Sequence, residues 1–153
     1  MSAQITVAES KIEDVYRLCR TIRPRDRDEA IAAGLEPRRA MRSQFRDAIL
    51  RRSYFADGKL VAMSGLCGPL LASVGQPYLV TAIGVEQYPV AFIKHARAAV
   101  AQMLRLRQRL EGHVLADYTG AVRLLETLGF QMDEPQPIGP SGAMFRRFWK
   151  ERP

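Results

Sequence analysis

Tyr78-Leu79-Val80-Thr81-Ala82-Ile83-Gly84-Val85, then Glu86-Gln87-Tyr88-Pro89, then an Ala-rich run to Leu106, is the stretch that decides how this 153-residue chain is read. Its first eight residues are short, apolar and β-branched, which predicts a strand buried on both faces. After the turn, Phe92, Ala96, Ala99, Val100, Met103 and Leu106 recur at spacings of three and four, one apolar helix stripe facing back onto a sheet. Pro89 fits the first turn of that helix, where a missing N–H costs nothing. Strand, tight turn and helix together often bind phosphate. The residues of this turn argue against that use.

Working outward, Ile5 to Ala8 alternates with polar residues and predicts a first strand. Glu9 and Ser10 offer an N-cap for a helix built on Ile12, Val15, Tyr16, Leu18, Cys19 and Ile22, broken at Arg23-Pro24. Arg25-Asp26-Arg27-Asp28 reads as a solvated loop, with Asp26 or Asp28 capping a short helix that Gly34 stops. Pro37 opens a helix with Ala40, Met41, Phe45, Ala48 and Ile49 on one side and Arg38, Arg39, Arg42, Arg46, Arg51 and Arg52 on the other. Asp57-Gly58 signals a hairpin between Tyr54–Ala56 and Leu60–Gly65. The segment from Gly68-Pro69 to Pro77 reads as a loop or irregular strand. Beyond the long helix come a strand at 112–116, a helix at 120–128 stopped by Gly129, and a final strand at 144–149 that can sit at the sheet edge. His113 is expected to be half-buried with its bonds satisfied, and His95 to face solvent.

Composition points to a soluble globular protein held in a cytosol: 47% hydrophobic, 25% charged, one domain by length. No apolar run approaches the roughly 20 residues of a membrane span, and the N-terminus lacks a signal-peptide pattern. Cys19 and Cys67 fit neither a disulfide framework nor a zinc site. The charge of +7, with 19 arginines against 4 lysines, fits nucleic acid, an acidic protein partner, or nothing specific. No nucleic-acid motif accompanies it, so nucleic acid is not an expected partner.

The order of elements resembles the GNAT N-acetyltransferase fold, as does Ala121-Val-Arg-Leu-Leu-Glu-Thr-Leu-Gly-Phe130. It implies an α/β domain with a mixed, twisted sheet and helices on both faces. Four segments also resemble GNAT-like proteins of tailed bacteriophages, the "internal virion protein A" type: 22–28, 79–93, 124–130 and 137–148. That resemblance implies a virion component or assembly factor in the host cytoplasm or the virion, contacting portal, tail or internal core proteins, with a ring of copies as one way to use such surfaces.

A GNAT enzyme using acetyl-CoA is expected to show a Gln/Arg-x-x-Gly-x-Gly/Ala turn whose amides hold the pyrophosphate. Starting on Gln87, Val90 and Phe92 stand where glycines belong, and Pro89 removes a donor. The family's Asn-x-x-Ala places Tyr118 at the Asn, and its acid tyrosine aligns with Leu125, which has no proton to give. A base would have to come from Glu36, Asp57, Glu86 or Asp117. The sequence therefore leads to a protein that kept the fold, lost the cofactor site and binds proteins through Arg38, Arg42, Arg46, Phe145 and Trp149. The alternative is an acetyl-CoA-dependent N-acetyltransferase with Val85, Gln87 and Tyr88 against the cofactor.

Overall fold

Why does the chain form one sheet with helices on both faces? Three prolines answer part of it. Pro24, Pro37 and Pro89 each occupy the first turn of a helix, where the missing N–H is no loss. The computed structural model describes residues 4–69 and 71–153; the start of the N-terminal pattern and residue 70 of the 68–77 loop lie outside the described residues. The elements are β1 (Ile5–Glu9), α1 (Ile12–Thr21), α2 (Pro24–Ala32), α3 (Pro37–Asp47), β2 (Leu50–Ala56), β3 (Lys59–Cys67) and β4 (Val74–Thr81). They continue with a 3-10 turn (Val85–Gln87), α4 (Pro89–Leu106), β5 (Arg109–Leu115), α5 (Thr119–Thr127), β6 (Gln131–Met132), β7 (Gln136–Ile138) and β8 (Ala143–Glu151). The strand order is β1-β2-β3-β4-β5-β8-β6, with β7 on the far end of β8.

Period-two alternation sorts the side chains. Met63 and Val80 pack with Val15, Leu18 and Met41 under α1 and α3. Ala62 and Leu66 turn to the other face, where α4 and α5 cover them. Phe130 and Phe148 meet edge to face at 5.2 Å in that second layer. Asp57 (φ 52°) and Gly58 (φ 79°) make the hairpin tip between β2 and β3.

Several expectations are corrected. The α3 helix ends at Asp47, so Arg51 and Arg52 belong to β2, where Arg51 donates to the Phe45 carbonyl. The cap before α1 is Lys11, tied by Asp14, rather than Glu9 or Ser10. The segment before Tyr78 is already strand, and β4 stops at Thr81 because Gly84 at φ 101° turns the chain out of the sheet. Far from an edge, β8 is interior, held by β5 on one side and by β6 and β7 on the other. His113 is exposed, while His95 packs against the Tyr54 ring at 6.3 Å.

Candidate functional site

The two central parallel strands pair only where they begin. Val74 faces Arg109 and Gly75 faces Leu110, and beyond that β4 and β5 part. Register with β3 turns the backbone groups of Pro77, Leu79 and Thr81 toward the gap: the Ala82 N–H bonds Val61 across β3, and neighbours alternate. A proline is tolerated at position 77 for that reason, since its nitrogen has no ladder partner to lose. The strand expected to be buried on both faces is accordingly half open, with Leu79 38% exposed.

A cavity of about 920 Å³ lies along the gap, with lining residues from both faces of the sheet. On one side its walls are apolar: Phe92, Ile93, Ala96 and Met103 of α4, with Leu124 and Leu128 beyond. On the other side, beneath α2 and α3, lie Asp26, Glu29, Glu36, Arg39 and Gln44.

Helix α2 replaces the missing strand pairing at the parted end. Asp26 Oδ2 accepts from both the N–H and the hydroxyl of Thr81, each at 2.6 Å, and its Oδ1 accepts from the Tyr118 hydroxyl at 2.6 Å. The Arg23 N–H donates to the Thr81 carbonyl and the Ile83 N–H to the Thr21 carbonyl, so the α1–α2 link closes the last piece of β4 edge. On the β5 side, Glu29 Oε2 accepts the Leu115 N–H at 2.9 Å. No other hydrogen bond reaches the Glu29 carboxylate among the described residues. Burial, reinforced by the nearby Asp26 charge, pushes its carboxyl up to about 7, against the opposing pull of the Leu115 amide and Arg25. Burial and Asp26 also push the Tyr118 phenol up, so it stays protonated and donates.

The residues singled out from sequence fare unevenly. Val85 is buried against Tyr54 and Phe92 and touches the cavity, but Gln87 points to solvent and Tyr88 packs on the apolar cluster beside it, and neither lines the cavity. Each suggested base is already engaged or remote. Glu36 caps α3 by accepting from the Arg38 and Arg39 amides, which hold its carboxyl low. Asp57 sits at the hairpin tip, Asp117 pairs with Arg25 at 2.7 Å, and Glu86 accepts the Gly84 N–H at 3.2 Å. Arg38, Arg42 and Arg46 are exposed on α3. Phe145 is a correction: it is buried with Leu115 and Tyr118 and offers no partner a surface. Trp149 is half-buried between the guanidiniums of Arg109 and Arg147.

Asp26 and Glu29 were missed. Alternating charge suggested a solvated loop, yet Pro24 was a helix-start signal, and from it Asp26 and Glu29 fall three apart on one helix face.

Solved structures that share this fold include N-acetyltransferases. Spermidine N-acetyltransferase from Vibrio cholerae, in complex with CoA and spermine, superposes with a TM-score of 0.69 at 15% identity over 97% of this chain and 95% of that one. Ribosomal-protein-alanine N-acetyltransferase from Brucella melitensis gives 0.68 at 14% identity over 96% and 99%. An acetyltransferase from Bacillus subtilis in complex with CoA gives 0.67 at 11% over 99% and 100%. This is the GNAT acetyltransferase fold. No protein-family model and no curated protein sequence matches the chain.

Proposed function

We propose that the chain is an N-acyltransferase that moves an acyl group from a pantetheine thioester, acetyl-CoA being the familiar form, to an amine. The observation that carries this reading is the parted β4–β5 edge with Glu29 beside it. Ligands of open α/β sheets bind outside the carboxyl ends of parallel strands, and these strands separate toward those ends.

The fit to the cofactor divides in two. The Leu79 N–H and carbonyl face the gap, and the walls around them are apolar. That suits an arm of amides and methylenes. The turn before α4 is different. The Gly84, Val85, Gln87 and Tyr88 amides all donate within the turn, to Glu86, Ala82, Gly84 and Val85 respectively, and Pro89 has no N–H. The amides that stay unbonded there are those of Glu86, Val90 and Ala91, the last two in the first turn of α4. No step is assigned to the nucleotide end.

A thioester supplies an acyl carbon that an amine can attack, with a C–N bond formed and the C–S bond broken. Glu29 is placed to take the proton that the amine gives up. With its pKa about 7 the carboxylate is populated at neutral pH and still basic enough to accept a proton. Asp26 holds Thr81 and Tyr118 together and so fixes the width of the gap. Lining residues on both faces of the sheet give the donor and the amine separate walls to rest on.

Calorimetric titration with S-acetyl-pantetheine and acetyl-CoA tests the reading. Saturable binding of either thioester, lost when the gap is filled, supports it. No heat at millimolar ligand with folded protein overturns it.

A further inference from the structure

We infer that the amine acceptor carries a carboxylate at its far end and that Arg39 binds it. This rests on the acyltransferase reading and names its acceptor class. The inference comes from which side chains beneath α2 and α3 already have partners. The acids there are largely spent. Asp26 gives one oxygen to Thr81 and the other to Tyr118, and Glu36 gives both to the Arg38 and Arg39 amides. Glu29 alone keeps an oxygen without a partner among the described residues. The donors are open. Arg39, Ser43 and Gln44 of α3, Gln76 of β4 and His113 of β5 line the same cavity. Among the described residues, no hydrogen bond or ion pair engages any of these five side chains.

Their placement separates two ends of an acceptor path. The pairing of Val74 with Arg109 sets Gln76 and His113 on one face of the sheet, the face on which Val80 packs under α1 and α3. His113 stands two residues before Leu115, whose amide holds Glu29, or about 7 Å along the strand. An amine nitrogen at Glu29 therefore leaves its far end among the open donors, where Arg39 supplies the formal charge. A guanidinium grips a carboxylate through two parallel N–H bonds, and hydroxyl, amide and imidazole groups can add donors. A second ammonium would meet that guanidinium and no free carboxylate. Arg23, the other guanidinium on this wall, acts on the Tyr118 phenol and so belongs to the amine end, which it shares with Asp26 and Glu29. In the transfer, the neutral amine attacks the acyl carbon and the C–S bond breaks. Glu29 takes one amine proton and the departing thiolate takes up one.

Three amines of similar span are compared as acceptors from acetyl-CoA and S-acetyl-pantetheine, with released thiol as the readout: 4-aminobutyrate, butylamine and 1,4-diaminobutane. For 4-aminobutyrate, kcat/KM should exceed that of each other amine by about tenfold or more. Arg39→Gln should raise the KM for 4-aminobutyrate about tenfold with kcat held within about twofold. Arg39→Lys, which keeps the charge and loses the fork, should restore part of the preference. Two results overturn the inference while leaving the acyltransferase reading intact: either other amine accepted as well as 4-aminobutyrate, or a carboxylate preference that survives Arg39→Gln. Thioester binding with no acetylation of 4-aminobutyrate overturns it as well. Failure of every thioester to bind the folded protein overturns both.

Discussion

The two edges of β5 are built oppositely. Toward β8 it pairs continuously, from Arg109–Glu151 through Leu115–Phe145, in antiparallel register. Toward β4 it pairs at two positions and then separates. The closed edge is filled: Gly112 has no side chain because the Phe148 ring lies where one would be, 2.6 Å from an added Cβ. The open edge is bridged instead by side chains of α2, with Asp26 and Glu29 reaching Thr81, Tyr118 and Leu115. A sheet that spends backbone hydrogen bonds on one side and withholds them on the other keeps a space that a ligand's own amides can fill. A chain that had kept the fold only to bind proteins would be under no pressure to leave that space, and the open gap supports the ligand reading.

That contrast predicts where substitutions fall. On the closed edge, Phe148→Ala removes a ring shared by Gly112, Phe130 and the apolar layer. It should cost about 3–5 kcal/mol of unfolding free energy, read from a denaturant midpoint. A loss under about 1 kcal/mol would show that the closed side is not the rigid half.

At the open edge, Glu29 couples stability to pH. Its folded pKa of about 7 lies above the ordinary 4.5, so between those values the native state holds a proton that the unfolded chain has released. Its contribution is greatest below about pH 4.5 and is lost as pH rises toward 7 and beyond, by roughly 3 kcal/mol at most. Glu29→Gln keeps an acceptor for the Leu115 amide, removes the charge, and should flatten that slope across about pH 4.5 to 7 in thermal unfolding. In an assay with a competent amine the same variant should lose about 10²–10⁴-fold in kcat. An unchanged pH slope would detach Glu29 from the buried role.

Tyr118→Phe tests the clasp. It deletes a partly buried hydrogen bond to a carboxylate, worth about 1.5–3 kcal/mol. Because Asp26 keeps its two bonds from Thr81, the fold should survive with β4 and β5 less firmly spaced. Thioester affinity should fall along with stability, and an affinity that stays constant would mean the gap is set elsewhere.

How much of this the sequence showed follows the same division. The closed layer was legible because it is periodic: the α4 stripe, the hairpin signal at Asp57-Gly58 and the Gly129-Phe130 stop were all readable from residue type and spacing. Gly84 was read as a strand residue because a lone glycine in an apolar run does not reveal its φ of 101°. The clasp was illegible for another reason. Asp26 acts on residues 81 and 118, and Glu29 on residue 115, contacts that only tertiary packing brings together. Alternating charge at 25–28 looked solvated because half of it is: Arg27 and Asp28 are exposed, while Asp26, between Arg25 and Arg27, turns inward. Phe145, placed with Trp149 as an aromatic surface, was misjudged for a related reason: Phe145 and Phe148 lie three apart and point to opposite faces of β8, and both are buried because each face is covered.

The smallest stability change is expected at Leu79, and it is the most discriminating. Its side chain lines the gap, its backbone edge faces β5 without pairing, and it is 38% exposed. Leu79→Trp adds volume to open space, so unlike an overpacked core position it should shift the unfolding free energy by less than about 1 kcal/mol. The indole would lie across the path between Leu79 and the α4 wall, and acetyl-pantetheine binding should disappear in a titration where the parent protein binds. A large stability loss would mean the gap closes on itself in solution. Unchanged stability with unchanged binding would place the thioester elsewhere, and the parted strands would then need another explanation. Loss of binding in a fully folded variant is the outcome that separates a sheet opened for a ligand from one merely left incomplete.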